Sequence, residues 1–176
     1  MTQDQNAAVE TMWEGKYIRA MKRGRWEYVS RTNATNAAVV LAEHEGKVIL
    51  VEQYRVPLGA RCLELPAGLV GDEEEGEAIE AAAIRELEEE TGYRAEAMVD
   101  LGRFHASPGM SSEGFTLLRA EGLTKVGAGG GIAGEEIAVR RVKLEAVPAF
   151  VAARRAEGVA IDAKLLLLLG AGMLNP

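Results

Sequence analysis

Glu86, Glu89 and Glu90 set three carboxylates at helical spacings of three and four within Arg85-Glu86-Leu87-Glu88-Glu89-Glu90-Thr91-Gly92. In a helix these positions project from one face. Like charges so placed repel and weaken an isolated helix, so a fold that keeps the segment helical has to offset them. Ala83, Ile84 and Leu87 give it an apolar side to bury on a sheet. Arg85 can hold neighbouring carboxylates through charge-assisted hydrogen bonds. A hard divalent cation would offset the remaining charge directly. Oxygen-only donors favour Mg²⁺ or Mn²⁺ over zinc, and Mg²⁺ keeps waters that substrate phosphates can replace.

The acidity is local. Asp72 to Glu90 holds ten acidic residues and one arginine, a charge of −9, so the net charge of −7 leaves +2 for the remainder. A solvated acidic helix is the plain alternative, but it gives no reason for the spacing. No Lys/Arg cluster is interleaved with aromatics and the pI is about 5.0, which argues against a nucleic-acid partner. With 176 residues, 48% of them hydrophobic, the chain can bury a sizeable core. Cys62 is the single cysteine; it excludes an intramolecular disulfide and points to a reducing, cytoplasmic setting. Met1 to Glu10 lacks an apolar signal core. The apolar run Leu165 to Leu169 is far too short to span a bilayer and predicts a buried helix, so no membrane partner is expected.

Short β-type runs dominate the first hundred residues. Tyr17 to Ala20 and Trp26 to Arg31 read as one hairpin, and Asn36 to Ala42 with Lys47 to Glu52 as a second, turned by His44-Glu45-Gly46. Cys62 to Leu65 is a strand stopped by Pro66-Ala67-Gly68. A helix is predicted from Glu77 to Thr91, ended by Gly92 in the left-handed conformation. Strands follow over Glu96 to Phe104, Gly114 to Ala120 and Ile137 to Val142, then helices over Ala146 to Ala156 and Ile161 to Met173. The run Gly127 to Gly134 looks like a phosphate-binding loop, but no strand-to-helix context supports that. His44 and His105 read as ordinary loop or strand residues, and Cys62 as a buried small side chain. The elements add up to an α+β protein with helices packed on a mixed sheet, an α/β/α sandwich preceded by antiparallel strands.

From Gly71, five residues lead to Glu77, and seven more to Arg85-Glu86; Leu87, Glu89-Glu90 and Gly92 follow. This resembles the Nudix box, G-x5-E-x7-R-E-U-x-E-E-x-G-U with U a bulky apolar residue, and Tyr93 at the last U is a mild departure. Relatives commonly place the first glycine in a Pro-Ala-Gly turn, here Gly68. On that reading the chain carries extra residues within Gly71 to Glu75, and both glycines stay open. Outside the box the chain is similar to the ADP-ribose pyrophosphatase branch of the family. Pro108 lies sixteen residues after Gly92, the spacing associated with that branch. Glu64-Leu65-Pro66-Ala67-Gly68, Glu52-Gln53-Tyr54-Arg55 and Arg25-Trp26-Glu27-Tyr28-Val29-Ser30-Arg31 resemble its other landmarks.

The resemblance implies Mg²⁺ (or Mn²⁺) on Glu86 and Glu90, with Glu89 sharing a further ion and the Ala67 carbonyl completing the site. It implies Trp26 stacked on the nucleobase, Glu27 and Arg31 near the base, and Arg55 on phosphate. Read without it, Trp26 packs a strand and the arginines are surface charges. Glu135 or Glu136, just after the glycine run, would accept a proton from the attacking water, with Glu135 preferred; a solvated loop-end pair is the alternative. The glycine run would let this segment swing closed over substrate. Residues 1–33 are expected to form a strand extension for base binding and dimerisation, and 34–176 the Nudix domain. The strands of this extension commonly exchange between subunits in the branch, which implies a homodimer; the first ten residues are expected to be weakly ordered. The implied substrate is a small nucleoside diphosphate derivative, foremost ADP-ribose, cleaved to AMP and ribose 5-phosphate. The alternatives are a GDP-mannose-type sugar nucleotide, a dNTP, or a non-catalytic ligand sensor. A sensor would be expected to have lost box glutamates.

Overall fold

Successive strand residues point to opposite faces of a sheet, and the central strands of this protein are buried on both. The computed structural model describes residues 3–32, 36–71, 76–132 and 134–174. Its strands are β1 (Val9–Glu14), β2 (Ile18–Arg23), β3 (Trp26–Arg31), β4 (Ala37–Leu41), β5 (Glu43–His44), β6 (Lys47–Arg55) and β7 (Ala60–Glu64). They continue with β8 (Ala67–Leu69), β9 (Tyr93–Arg94), β10 (Ala97–Phe104), β11 (Phe115–Glu121), β12 (Thr124–Lys125), β13 (Ala138–Lys143) and β14 (Ala160–Ile161). The helices are α1 (Ile79–Thr91), α2 (Val147–Ala156) and α3 (Leu166–Leu174).

Two sheets carry the domain, ordered β10-β11-β4-β8 and β13-β6-β7-β14, with β5 paired to β6. Both are mixed: β11 runs parallel to β4, and β14 parallel to β7. Along β4, Val39 joins one core with Leu50, Leu63, Val147, Val151 and Leu165, beneath α2 and the start of the last helical segment. Ala38 and Val40, its neighbours, join a second core with Ile49, Ala83, Leu87 and Tyr93, beneath α1. Strands covered on both faces need continuous apolar runs rather than alternation, which is how residues 37–42 and 48–51 read. The result is the expected α/β/α sandwich.

The chain passes between these two sheets three times, after β4, after β7 and between β11 and β13, and the first two passages shape the cleft described below. Asn36 to Ala42 and Lys47 to Glu52 do not form a hairpin with each other. β4 pairs with β11 and β8, and only the short β5 turns back onto β6 through Glu45 and Gly46, both with positive φ. The strand before Pro66 ends as expected, at Glu64, but Ala67 and Gly68 begin another rather than a loop. After β7 the chain crosses to lie on β4 as β8, where the Pro66 carbonyl accepts the Val40 amide at 2.8 Å.

The N-terminal strands form a three-stranded antiparallel sheet of their own, β1-β2-β3. The expected weak order of the first ten residues concerns a segment of which Met1 and Thr2 lie outside the described residues. Gln3–Asn6 form a 3-10 turn, and the carboxylate of Asp4 accepts from the backbone and guanidinium of Arg25 at 2.9–3.2 Å. The leucine run also departs from expectation: Leu165 is fully buried, but Leu166 and Leu167 are about half exposed. Leucines on every side of a helix cannot all face one core.

Among the described residues Glu52 is the most deeply buried carboxylate, 1% exposed, on the α2 side of β6. Burial alone would raise its pKa, but hydrogen bonds from Arg61, Arg154 and Arg140 outweigh this and hold it below the ordinary carboxylate range. The contacts are 2.8 Å to Arg154 of α2, 3.0 Å to Arg61 of β7 and 3.2 Å to Arg140 of β13. Removing one partner of such a buried cluster strands the others. Glu52→Gln is therefore expected to cost roughly 3 kcal/mol, read as a lower urea midpoint at neutral pH with an unchanged slope.

Candidate active site

Gly68 on β8 explains how the acidic helix meets the sheet. A side-chain carbon at this position would lie 2.0 Å from Cδ of Glu86, so any larger residue would push that carboxyl group aside. Of the two candidate first glycines, Gly68 lies against the box helix. Gly71 has positive φ, and Asp72 to Glu75 lie outside the described residues. One turn on, Glu90 is 5% exposed and accepts the Ala67 amide at 3.1 Å. Burial pushes its carboxyl up to about 8; the Ala67 bond lowers it, and the neighbouring charges of Glu86 and Glu135 add to the rise.

Arg85 braces this face from behind. Its guanidinium lies 3.3 Å from Glu77, 3.0 Å from Glu86 and 3.4 Å from Glu89. The Glu77 contact spans eight residues because Glu77 precedes the helix and folds back along it. Glu89 points elsewhere. It lines a shallow depression with Ala81, Ile84, Arg85 and Glu88, while Glu86 and Glu90 face the cleft.

The cleft, about 580 Å³, opens where the two sheets meet. Its walls include Arg55 of β6, Glu64 of β7, Ala67 and Gly68 of β8, Arg31 of β3, and Glu135. Arg55 is held by Glu64 through two contacts of 2.6 and 2.8 Å. Arg31 pairs with Glu113, which also lines the cleft. Trp26 does not share this space. It lies 57% exposed in an adjoining depression with Tyr28 and Pro108, and Ser111 lines both. Glu27 is exposed on β3 and lines neither.

The two candidate bases separate. Glu135 lines the cleft and its carboxylate accepts the Ile132 amide at 3.2 Å. Glu136, exposed like Glu135, is outside the lining; its carbonyl receives Arg61 at 3.4 Å. Sequence reading missed Glu64, Glu113 and Lys164 as cleft residues. Lys164 comes from just before α3 and is held by Asp162 at 2.6 Å. Glu64 stood in a quoted motif, but nothing near Lys164 marked it.

Residues 32–164 match the NUDIX domain family. The chain belongs to the Nudix family. Among curated relatives it is 47% identical over 88 residues to a methanol dehydrogenase activator of Bacillus methanolicus, covering 50% of this chain and 46% of that protein. It is 41% identical over 103 residues to an ADP-ribose pyrophosphatase of Bacillus subtilis (strain 168), covering 58% and 53%. An ADP-sugar pyrophosphatase of Mus musculus is 39% identical over 121 residues, covering 58% and 54%. The chain thus spans about half the length of the curated relatives it matches. The crystal structure of an ADP compounds hydrolase shares the fold with a TM-score of 0.68 at 20% identity, covering 94% of this chain and 91% of that one.

Nudix hydrolases generally use divalent metal ions, and the donor set here fits one. Among the described residues no three His, Cys, Asp or Glu side chains enclose an ion by themselves. Mg²⁺ does not require that: one or two carboxylates, with water and substrate phosphate, hold it. Glu86 and Glu90 are such a pair, and the buried Glu90 beside two like charges is the group a cation would relieve. The amide of Ala67 is already given to Glu90.

Two outcomes follow. Because Gly68 seats Glu86, Gly68→Ala is expected to weaken Mn²⁺ binding about 10–100-fold, measured by paramagnetic resonance, in a protein that still melts cooperatively. Glu90 has a folded-state pKa above its unfolded value, so its contribution is full below about 4.5 and lost as pH rises toward about 8. The metal-free protein is expected to lose melting temperature between pH 5 and 8. Glu90→Gln should flatten that slope, and Mg²⁺ should restore the loss at pH 8.

Proposed function

We propose that this chain hydrolyses the pyrophosphate of nucleoside diphosphate derivatives, foremost ADP-ribose, giving AMP and ribose 5-phosphate. The observation that carries this reading is the meeting of Glu86, Glu90 and Glu135 with Arg31, Arg55 and Lys164 in one cleft. Carboxylates for an ion and cations for phosphate oxygens converge on a single space. The names of the pyrophosphatases among its relatives support the substrate class.

Glu86 and Glu90 would hold Mg²⁺, with Mn²⁺ as a substitute, and Ala67 and Glu89 would contribute at its margin. When bound, the ion supplies neutralisation of phosphate charge and acidification of water. Arg55, already oriented by Glu64, would orient the pyrophosphate, and Arg31 its nucleoside end. Glu135 would accept the proton of the attacking water. Trp26 would stack on the base, with Glu27 beside it. Exposed Met12, Trp13, Ile18 and Trp26 on the N-terminal sheet support residues 1–33 as a dimerising unit that forms a homodimer. A cytoplasmic setting suits the buried free Cys62.

The test is a Mg²⁺-dependent hydrolysis panel of ADP-ribose, GDP-mannose, UDP-glucose, NADH, diadenosine polyphosphates and dNTPs. ADP-ribose is expected to lead, and Glu90→Gln to abolish turnover. Glu135→Gln should cost about 10²–10⁴-fold in kcat, and Glu136→Gln little. Absence of turnover on every compound would sink the reading; equal losses in the two loop variants would sink the choice of Glu135.

A further inference from the structure

The glycine run after β12 lies against the end of the acidic helix. The last carbonyls of a helix have no partner within it, and here loop amides supply several. Gly130 donates to the carbonyl of Glu90 at 2.9 Å, and Gly131 to that of Glu89 at 3.0 Å. Val126 and Gly127 both donate to Gly92, at 2.9 and 3.1 Å. Lys125 bridges the two segments, with Nζ 2.8 Å from the Thr91 carbonyl and 3.4 Å from that of Ala128. Its ammonium also lies over the Tyr93 ring, 4.5 Å from the centroid.

The approach is too close for side chains. A Cβ on Gly129, where φ is +72°, would lie 2.4 Å from the carbonyl carbon of Thr91; one on Gly92 would lie 2.2 Å from the Gly127 oxygen. Both neighbours are backbone and cannot turn aside. Beyond this docked stretch the chain folds back, with Glu135 donating to Ile132 at 3.0 Å and Ile137 to Gly130 at 3.3 Å. The Glu135 carboxylate comes to rest over Gly131, where a Cβ would sit 2.6 Å from its Oε2.

We propose that the glycine run is a fixed brace: docked on the last turn of α1, it sets Glu135 opposite Glu86 and Glu90, with Gly129 and Gly131 as positioning residues. This rests on the reading of Glu135 as proton acceptor. It replaces the expected swinging of the run itself. Three bonds from the run itself, with two more from Lys125 and Val126 just before it, join this segment to residues 89–92 and would have to break for residues 125–131 to move. The main-chain oxygens of Glu89 and Glu90 thus fix the base, while the side chain of Glu90 faces it.

The experiment combines amide exchange with kinetics on the whole chain. In the metal-free protein the amides of Gly130 and Gly131 are expected to exchange as slowly as those of α1, and Mg²⁺ should leave them slow. Fast exchange would overturn docking whatever the activity. Gly131→Ala, which displaces the Glu135 carboxylate, is expected to lower kcat about 10²-fold with KM little changed. Adding Glu135→Gln to it should cost little more than Glu135→Gln alone, since both remove one contribution. Losses that multiply in the double variant, or wild-type turnover by Gly131→Ala, would overturn the positioning role. Wild-type turnover by Glu135→Gln alone would instead remove the base assignment, and positioning with it, while slow exchange would still establish the docked run.

Discussion

The seat of the Glu90 carboxylate is the constraint on which the rest depends. A buried carboxylate that accepts the Ala67 amide and has like charges beside it is costly to keep ionised. Each neighbouring feature serves to keep it there. Gly68 removes the side chain that would push Glu86 away, Arg85 gathers the outer carboxylates, and Leu87 with Ala83 anchors the opposite face of α1 in the core. The concentration of charge is thus held by packing rather than by mutual attraction, and a divalent cation would offset it.

The helix was legible because its information is local. Period, charge and the stop at Gly92 all lie within one short segment, and the sandwich followed from counting elements. What was not legible depends on distant partners. Two apolar runs joined by Glu45-Gly46 look like a hairpin from nearby. Which sheet β4 joins is decided by β11, far along the chain. The Glu52 cluster is similar: Arg154 lies 102 residues from it, and no spacing rule links them. Of the helix carboxylates, spacing placed three on one face, but the curvature of the helix surface leaves Glu89 at its rim.

The substrate-facing walls show the same division. Arg31, Arg55 and Ala67 were found through quoted motifs and do line the cleft. Lys164 and Glu113 had no motif, because their role comes only from where the fold brings β11 and the start of the last helical segment. Trp26 stands apart in its own depression, joined to the cleft through Ser111. Two adjoining spaces of different character, one charged and one aromatic, suit a ligand with a phosphate centre and a flat end.

The segment that carries Glu135 is tied down at both ends, but by unlike forces. At its start, neutral amides meet helix carbonyls with the two partners in direct contact. At its far end Arg61 reaches the Glu136 carbonyl while bonded to Glu52, on a guanidinium about one-third exposed. Dissolved ions screen exposed charges far more than close backbone pairs. Ionic strength therefore acts on one end of the segment and spares the other.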